Sequence, residues 1–545
     1  MKSLIKVSLI LSLAAFTFVG CNCFKKMAKH TDRIEASANP QLLSLKGQNV
    51  AADITVAFPD KYVDKNAVIK VTPVLNFNSG KIEGTSKFIQ GENVKDNYTI
   101  IPYRGGSYTQ NVVFAYDERA DLSTLELVFE AKCKNGEFMH LVTIPVAEGI
   151  STVQKNADWT AYMDIMPDNF KRVTTITESA DIHYLVSSSV VRPGELRDDQ
   201  IKLFEDFVKE NIDKDRTTLG NIYAKGYASP EGPVDFNDKL SRQRSESGKA
   251  AITKQLKKVE GVNYDAAAYG EDWDGFKELV QGSSLKDKDL ILQVLNMYSS
   301  PVQRDREIKN MSAVYEVLKK DVLPQLRRTQ LVASADISGK TDAELVAATK
   351  GDINSLTVEE MLFAATLVNT NEEKAAIYKA AADKYDDVRA YNNYGVALAQ
   401  SGKIAEAKSA LEKASKKGSD AAISNNLGAV ALAEGNQAEA AKYRSAMNNR
   451  TKGLLSLAEG DYASATRSLD GYNLAVAHFC NGNIAQAKTA LGNTQTACAD
   501  YLRAIIAMRE GDTTGAQAHL NAAAAKCDKV KAKAAGDVEF KKLNN

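Results

Sequence analysis

The chain has 545 residues, 44% of them hydrophobic and 25% charged, the proportions of packed globular domains, and the length predicts about two to four of these. Basic and acidic residues balance at 69 each, so nothing marks the chain for a polyanion such as nucleic acid. The five histidines (His30, His140, His183, His478 and His519) form no pair at metal-ligand spacing, and no G-x-S-x-G, P-loop, H-E-x-x-H or G-x-G-x-x-G context is present; neither catalysis nor a cofactor is expected.

Met1 to Lys6 carries two lysines, and Val7 to Gly20 is apolar but too short to span a bilayer. It ends Phe18-Val19-Gly20-Cys21, which resembles a bacterial lipobox, with Phe18 where leucine is usual. The resemblance implies that residues 1–20 are a signal peptide and that Cys21 becomes the acylated first residue, fixing the protein to the outer membrane. The basic run NCFKKMAKHTDR follows. It lacks the acidic tag of surface-exported lipoproteins, so the periplasmic side is expected. Residues 21–45 read as a polar tether. Of the six cysteines, Cys21 and Cys23 lie near the leader and Cys133 stands alone. Cys480, Cys498 and Cys527 read as buried free thiols.

Residues 46–150 have a strand period (AVIKVTPVLNF, YTQNVVFAY, TLELVFEAKC, FMHLVTIPV) broken by turn clusters such as NSGK, YRGGS and KNGE. This predicts an all-β, sandwich-like domain with no convergent catalytic set. Residues 151–180 read as a linker, helix-prone around Trp159 to Phe170. From 181 to 335 the type alternates: strand Asp181–Val191, helix Asp198–Glu210, strand Asn221–Gly226, helix Asn237–Leu256, strand Asn263–Tyr269, helical segments from Asp274 to Lys320, and a last strand Arg328–Val332. An α/β or α+β domain with a helical insertion follows. Glu271, Asp272 and Asp274 around Trp273 read as a solvated acidic face.

Within that domain the stretch from Asn221 reads NIYAKGYASPEGPVDFNDKLSRQRSESGKAAITKQL. Gly226, Tyr227, Gly232, Asn237, Leu240, Ser241 and Arg244 match, in order and spacing, the loop–helix unit of the OmpA-like, peptidoglycan-associated domain family, which this segment resembles. The resemblance implies peptidoglycan binding. In the family an aspartate of the loop and an arginine fifteen residues later hold diaminopimelate through its ammonium and carboxylate. The arginine position is Arg244. The aspartate position is Ser229, which removes the counter-charge for the ammonium; Glu231 or Asp235 could supply it from the same loop. Asn237 could cap the following helix.

Residues 341–545 are alanine-rich and read as almost purely helical. Turn glycines Gly402, Gly435, Gly460, Gly482 and Gly511 are each followed five residues later by alanine and, except after Gly435, by leucine four further on; Arg444 stands there instead. Gly395, Gly428 and Gly453 lie seven residues before the first three. Glycine permits the positive φ of a tight turn, and alanine lets paired helices approach. Tyr391, Gly395, Leu398, Ala407, Leu411 and Ala414, with Gly428, Gly435 and Ala440 in the next copy, resemble the tetratricopeptide signature. The turn spacings of 33, 25, 22 and 29 residues make the later copies divergent. An all-α solenoid with a protein partner in its groove is implied; the irregular periods leave the groove-lining residues unassigned. Together these readings make the chain a non-catalytic envelope lipoprotein that tethers or scaffolds, meeting the wall through one domain and a protein through another. The alternative is an assembly or secretion accessory factor whose central domain no longer binds peptidoglycan.

Overall fold

A computed structural model describes residues 22–134, 136–257 and 262–544, so the leader and Cys21 lie outside the described residues. Two compact units are present. One joins Met1–Pro167 with Val368–Asn545; the other is Asp168–Leu367.

In the first unit the strand-period segments form two sheets. In one, Asn49–Phe58 pairs antiparallel with Glu35–Asn39, Leu43–Lys46 and Gly106–Ala115. In the other, Ala67–Phe77 pairs antiparallel with Thr124–Cys133, Gly80–Glu83 and Lys87–Gln90, and Met139–Glu148 lies beyond Thr124–Cys133. Burial alternates along Asn49–Phe58 and Thr124–Cys133, as strands with one wet face require. Ile54, Ile69, Leu127 and Phe129 belong to one buried core drawn from both sheets.

Of the expected tether over residues 21–45, residues 22–45 are instead part of this β-domain. The helix Asn22–Ala28 buries Phe24 and Met27, and Cys23 is disulfide-bonded to Cys133, 110 residues away. The segment reads as polar because its buried side chains, Phe24, Met27, Ile34, Ala38, Leu43 and Leu45, are few and irregularly spaced.

The helical part of this unit is a row of hairpins: Val388–Gln400 with Ile404–Lys417, Ala421–Ala433 with Gln437–Lys442, Asn449–Glu459 with Tyr462–Ser468, Gly471–Cys480 with Ile484–Leu491, and Ala497–Glu510 with Thr513–Lys526. All five turn glycines have φ between 75° and 84°. Gly395 admits Leu411: a Cβ there would sit 2.7 Å from its Cγ. At Gly428 the neighbour is Met447, whose Cε would lie 2.3 Å from a Cβ. Met447 thus fills the place left by the leucine-to-Arg444 exchange, while Arg444 turns outward to pair with Glu459.

The β-domain and the hairpins share buried polar contacts. The Gln154 amide donates to Gly47 O (3.3 Å) and Ala458 O (3.1 Å) and accepts from Gly47 N at 3.0 Å. The Tyr462 hydroxyl lies 2.8 Å from both Leu45 O and Gln154 Oε1.

The second unit has a sheet in the order Val173–His183, Arg328–Ser338, Ile222–Ala228, Tyr264–Glu271, with Thr217–Leu219 also paired to Arg328–Ser338. Only Ile222–Ala228 and Tyr264–Glu271 run parallel. Helices Asp199–Ile212 and Val234–Gln255 pack Ile201, Phe204, Val208 and Ile252 against Ile182, Ala224, Leu331 and Ala333. The first strand precedes its expected place at Asp181–Val191 by eight residues, because the apolar run after Tyr184 is a loop with exposed Leu185, Val186 and Val190. The insertion is four helices, Trp273–Gly282, Lys288–Met297, Pro301–Asn310 and Ser312–Asp321, with a core of their own. Helices Asp342–Lys350 and Val358–Ala364, expected at the head of the repeats, belong to this unit.

The free thiols are not uniformly buried: Cys498 is exposed, and Cys480 and Cys527 are half-buried by surface area. Burial of the sulfur still pushes the Cys480 thiol up to about 12. At pH 8 only about one part in ten thousand of Cys480 is then thiolate, since each pH unit below the pKa removes tenfold. Iodoacetamide at pH 8 is expected to modify Cys498 first and Cys480 only on unfolding; early labelling of Cys480, read by peptide mass, would contradict this. Cys133→Ser opens the 110-residue loop closed by the disulfide and is expected to cost about 2–5 kcal/mol in chemical denaturation.

Candidate functional site

The loop–helix unit singled out by sequence folds as one piece. Gly226 is required there, since a Cβ would lie 2.0 Å from Ser241 O of the crossing helix. Pro233, not Asn237, precedes the helix Val234–Gln255. Asn237 lies one turn inside and is buried, its amide donating to Glu271 Oε1 at 2.9 Å and Gly232 O at 3.4 Å. Asn237 is therefore not a cap but a strut between two loops.

Arg244 is 1% exposed. Its Nη1 donates to Tyr227 O at 2.9 Å, Nε to Ser188 O at 3.0 Å and Nη2 to Leu185 O at 3.3 Å. The guanidinium also lies 5.2 Å from the Tyr184 ring centroid. Burial lowers its pKa to about 10, so it stays cationic at neutral pH. Among the described residues no carboxylate forms an ion pair with it.

The remaining predicted residues are turned to one another. Ser229 is buried, and its hydroxyl donates to Glu231 Oε1 at 2.9 Å. Glu231 is ion-paired with Arg327 at 3.0 Å, and its carbonyl accepts from Lys309 of the insertion at 3.3 Å. Glu231 is thus already neutralised. Of the three acidic residues expected on a solvated face, Asp274 is exposed, but Glu271 accepts from Trp273 Nε1 at 2.8 Å, and Asp272 is buried, capping the helix Trp273–Gly282 and pairing with Arg328 at 2.9 Å. A buried carboxylate needs such a partner.

A second site, not assigned from sequence, lies in the first unit. The stretch Trp159 to Phe170, expected to be helix-prone, holds no helix: residues 159–162 form turns. Residues 157–167 lie along the hairpins, and asparagine side chains grip their main chain. Asn473 accepts from Asp158 N at 2.8 Å and donates to Asp158 O at 2.9 Å. Asn426 does the same to Asp164 at 2.7 and 2.8 Å, and Asn393 to Met166 at 2.8 and 2.9 Å. Between them Asn425 and Asn448 donate to Tyr162 O at 3.1 and 3.0 Å. Asn392, Asn393, Asn425, Asn426 and Asn473 are all buried.

A signal for this row exists in the sequence. Asn393, Asn426 and Asn473 stand nine residues before Gly402, Gly435 and Gly482; Thr451 holds the same place before Gly460. Thr451 also reaches the bound segment, its hydroxyl 3.4 Å from Tyr162 O. A buried asparagine inside a helix needs partners for both ends of its amide, and an extended main chain offers both.

No protein-family model matches this chain, and no curated protein matches it. Among solved structures, the crystal structure of Salmonella alpha-2-macroglobulin reacted with methylamine aligns with 85% of this chain and 27% of that one, at 11% identity and a TM-score of 0.12. The alignment thus spans about a quarter of that protein's length, and a TM-score this low carries no argument about fold or activity.

Asn426→Ala removes both hydrogen bonds to Asp164, and at roughly 1 kcal/mol per bond is expected to cost about 2–3 kcal/mol. Asn426→Asp keeps the acceptor, loses the donor and sets a carboxylate against Asp164 O, so it should cost no less. Chemical denaturation reads the cost, and trypsin cleavage after Lys155 should quicken in both variants. A change below about 0.5 kcal/mol, the usual size at a surface position, would contradict a gripped segment.

Proposed function

We propose that this protein is a non-catalytic outer-membrane lipoprotein facing the periplasm, an assembly or scaffolding factor of the envelope whose central domain has the OmpA-like form but does not hold wall peptides. The leader and its lipobox-like end support the anchor at Cys21. The Cys23–Cys133 disulfide supports an oxidising compartment outside the cytoplasm. The strand–loop–helix order around Arg244 and the closing strand Arg328–Ser338 support the resemblance of the central domain.

The observation that carries the loss of wall binding is the state of Arg244. Each of its three nitrogens donates to a carbonyl of the chain itself, two of them to the loop that holds Leu185 and Ser188. The family's aspartate position is Ser229; of the two acidic groups nearby, Glu231 is taken by Arg327, and Asp235 lies exposed in the first turn of the helix. A ligand carboxylate would have to reach a cation that is 1% exposed, past the loop that holds Leu185 and Ser188. A protein partner of the repeats would meet faces other than the one occupied by residues 157–167.

One observation favours the tethering alternative: Arg244 is a buried cation with no carboxylate partner among the described residues, and a ligand carboxylate would supply one. Co-sedimentation with isolated sacculi separates the two readings. Purified, unlipidated protein is expected to stay in the supernatant. Pelleting that Arg244→Ala abolishes would overturn the proposal in favour of a wall tether through Arg244.

A further inference from the structure

The first described residue, Asn22, is already in a helix, and the next is a disulfide cysteine. If residue 21 carries the acyl chains, no flexible spacer lies between them and the folded β-domain. This inference rests on that anchoring reading for its geometry, and on the face itself for its chemistry.

The helix Asn22–Ala28 is two-sided. Phe24 and Met27 are buried in the β-domain core, and Lys25, Lys26 and Lys29 are exposed. None of the three lysines is in an ion pair among the described residues; Lys26 donates to the Tyr103 hydroxyl at 2.8 Å. Arg33 follows, exposed, donating to Asp60 O at 3.3 Å, and Lys134 adjoins the Cys133 end of the disulfide. The acidic groups nearby are largely engaged: Asp60 with Lys61 at 3.6 Å and Glu92 with Lys65 at 3.3 Å. Asp64 accepts from Asn66 N at 3.0 Å, and Asp32 and Glu35 are exposed and in no ion pair among the described residues. The end of the domain that adjoins the lipid attachment residue therefore carries a net positive charge, Lys25, Lys26, Lys29, Arg33 and Lys134 against Asp32, Glu35 and Asp64, on a rigid, disulfide-fixed platform.

We propose that this face seats directly on an anionic phospholipid surface, so that the β-domain lies against the membrane and the anchor is two-part, acyl chains plus lysines. A basic patch beside a lipid chain adds to membrane affinity in this way, each lysine near an anionic surface contributing about 1 kcal/mol, or about fivefold. Fixed charges need no ordering on contact, which favours the rigid platform over a loose basic tail.

Unlipidated full-length mature protein is tested by flotation with phosphatidylcholine vesicles, with and without phosphatidylglycerol. Binding is expected only with phosphatidylglycerol and is expected to fall at high salt. The triple variant Lys25→Gln, Lys26→Gln, Lys29→Gln should bind on the order of 100-fold more weakly, three factors of about five. Thermal unfolding of the variant reports whether its fold is kept, and Lys→Arg replacements at the three sites should restore binding. No preference for anionic vesicles, or equal binding by the Gln variant, overturns the proposal. Radiolabelled palmitate incorporation in cells, against Cys21→Ser, reads the anchor separately: label with no vesicle binding overturns this inference alone, and vesicle binding without label overturns the anchor alone.

Discussion

An asparagine amide places a carbonyl and an NH2 side by side, the same pair a β-strand presents to its neighbour. Asn393, Asn426 and Asn473 use that likeness to hold Met166, Asp164 and Asp158 by both main-chain groups. Each asparagine is buried in a helix, where an unpaired amide would be costly. The hairpins therefore depend on the bound segment as much as the segment depends on them. The grip reads main chain rather than side chains, which explains how residues as unlike as Asp158, Tyr162 and Met166 occupy it. The face of the hairpins that carries these asparagines is thus occupied by the chain itself, which fixes the path of residues 157–167.

The central unit follows the same economy. Buried charges are matched inside it: Glu231 with Arg327, Asp272 with Arg328, and Asp181 with Arg328 at 2.8 Å. Arg244 is the exception, solvated by carbonyls instead of a carboxylate. A guanidinium can be satisfied this way because its donors fan out in a plane, but satisfaction by the chain's own backbone leaves little for a ligand.

Much of the architecture was legible from periodicity. The alternation in Asn49–Phe58 and Thr124–Cys133 and the glycine–alanine spacing of the hairpins follow directly from the geometry of strands and tight turns. What was hidden depended on partners distant in sequence. The role of residues 22–45 required Cys133; the outward turn of Arg444 required Met447, three residues past it, to fill the leucine site over Gly428. Residues 157–167 look helix-prone by composition, but their main-chain groups are claimed by asparagines more than two hundred residues later. For the same reason Ser229, Glu231 and Asn237 could be placed in one loop–helix unit from sequence, while Arg327 and Glu271, which decide what they do, could not.

The most direct test of the gripped segment is amide hydrogen exchange across residues 157–167 in the native full-length chain. The account predicts slow exchange at Asp158, Asp164 and Met166, whose N–H groups end on asparagine oxygens, in a segment with no helix or sheet ladder of its own. Exchange at all three as fast as in an exposed loop would contradict it.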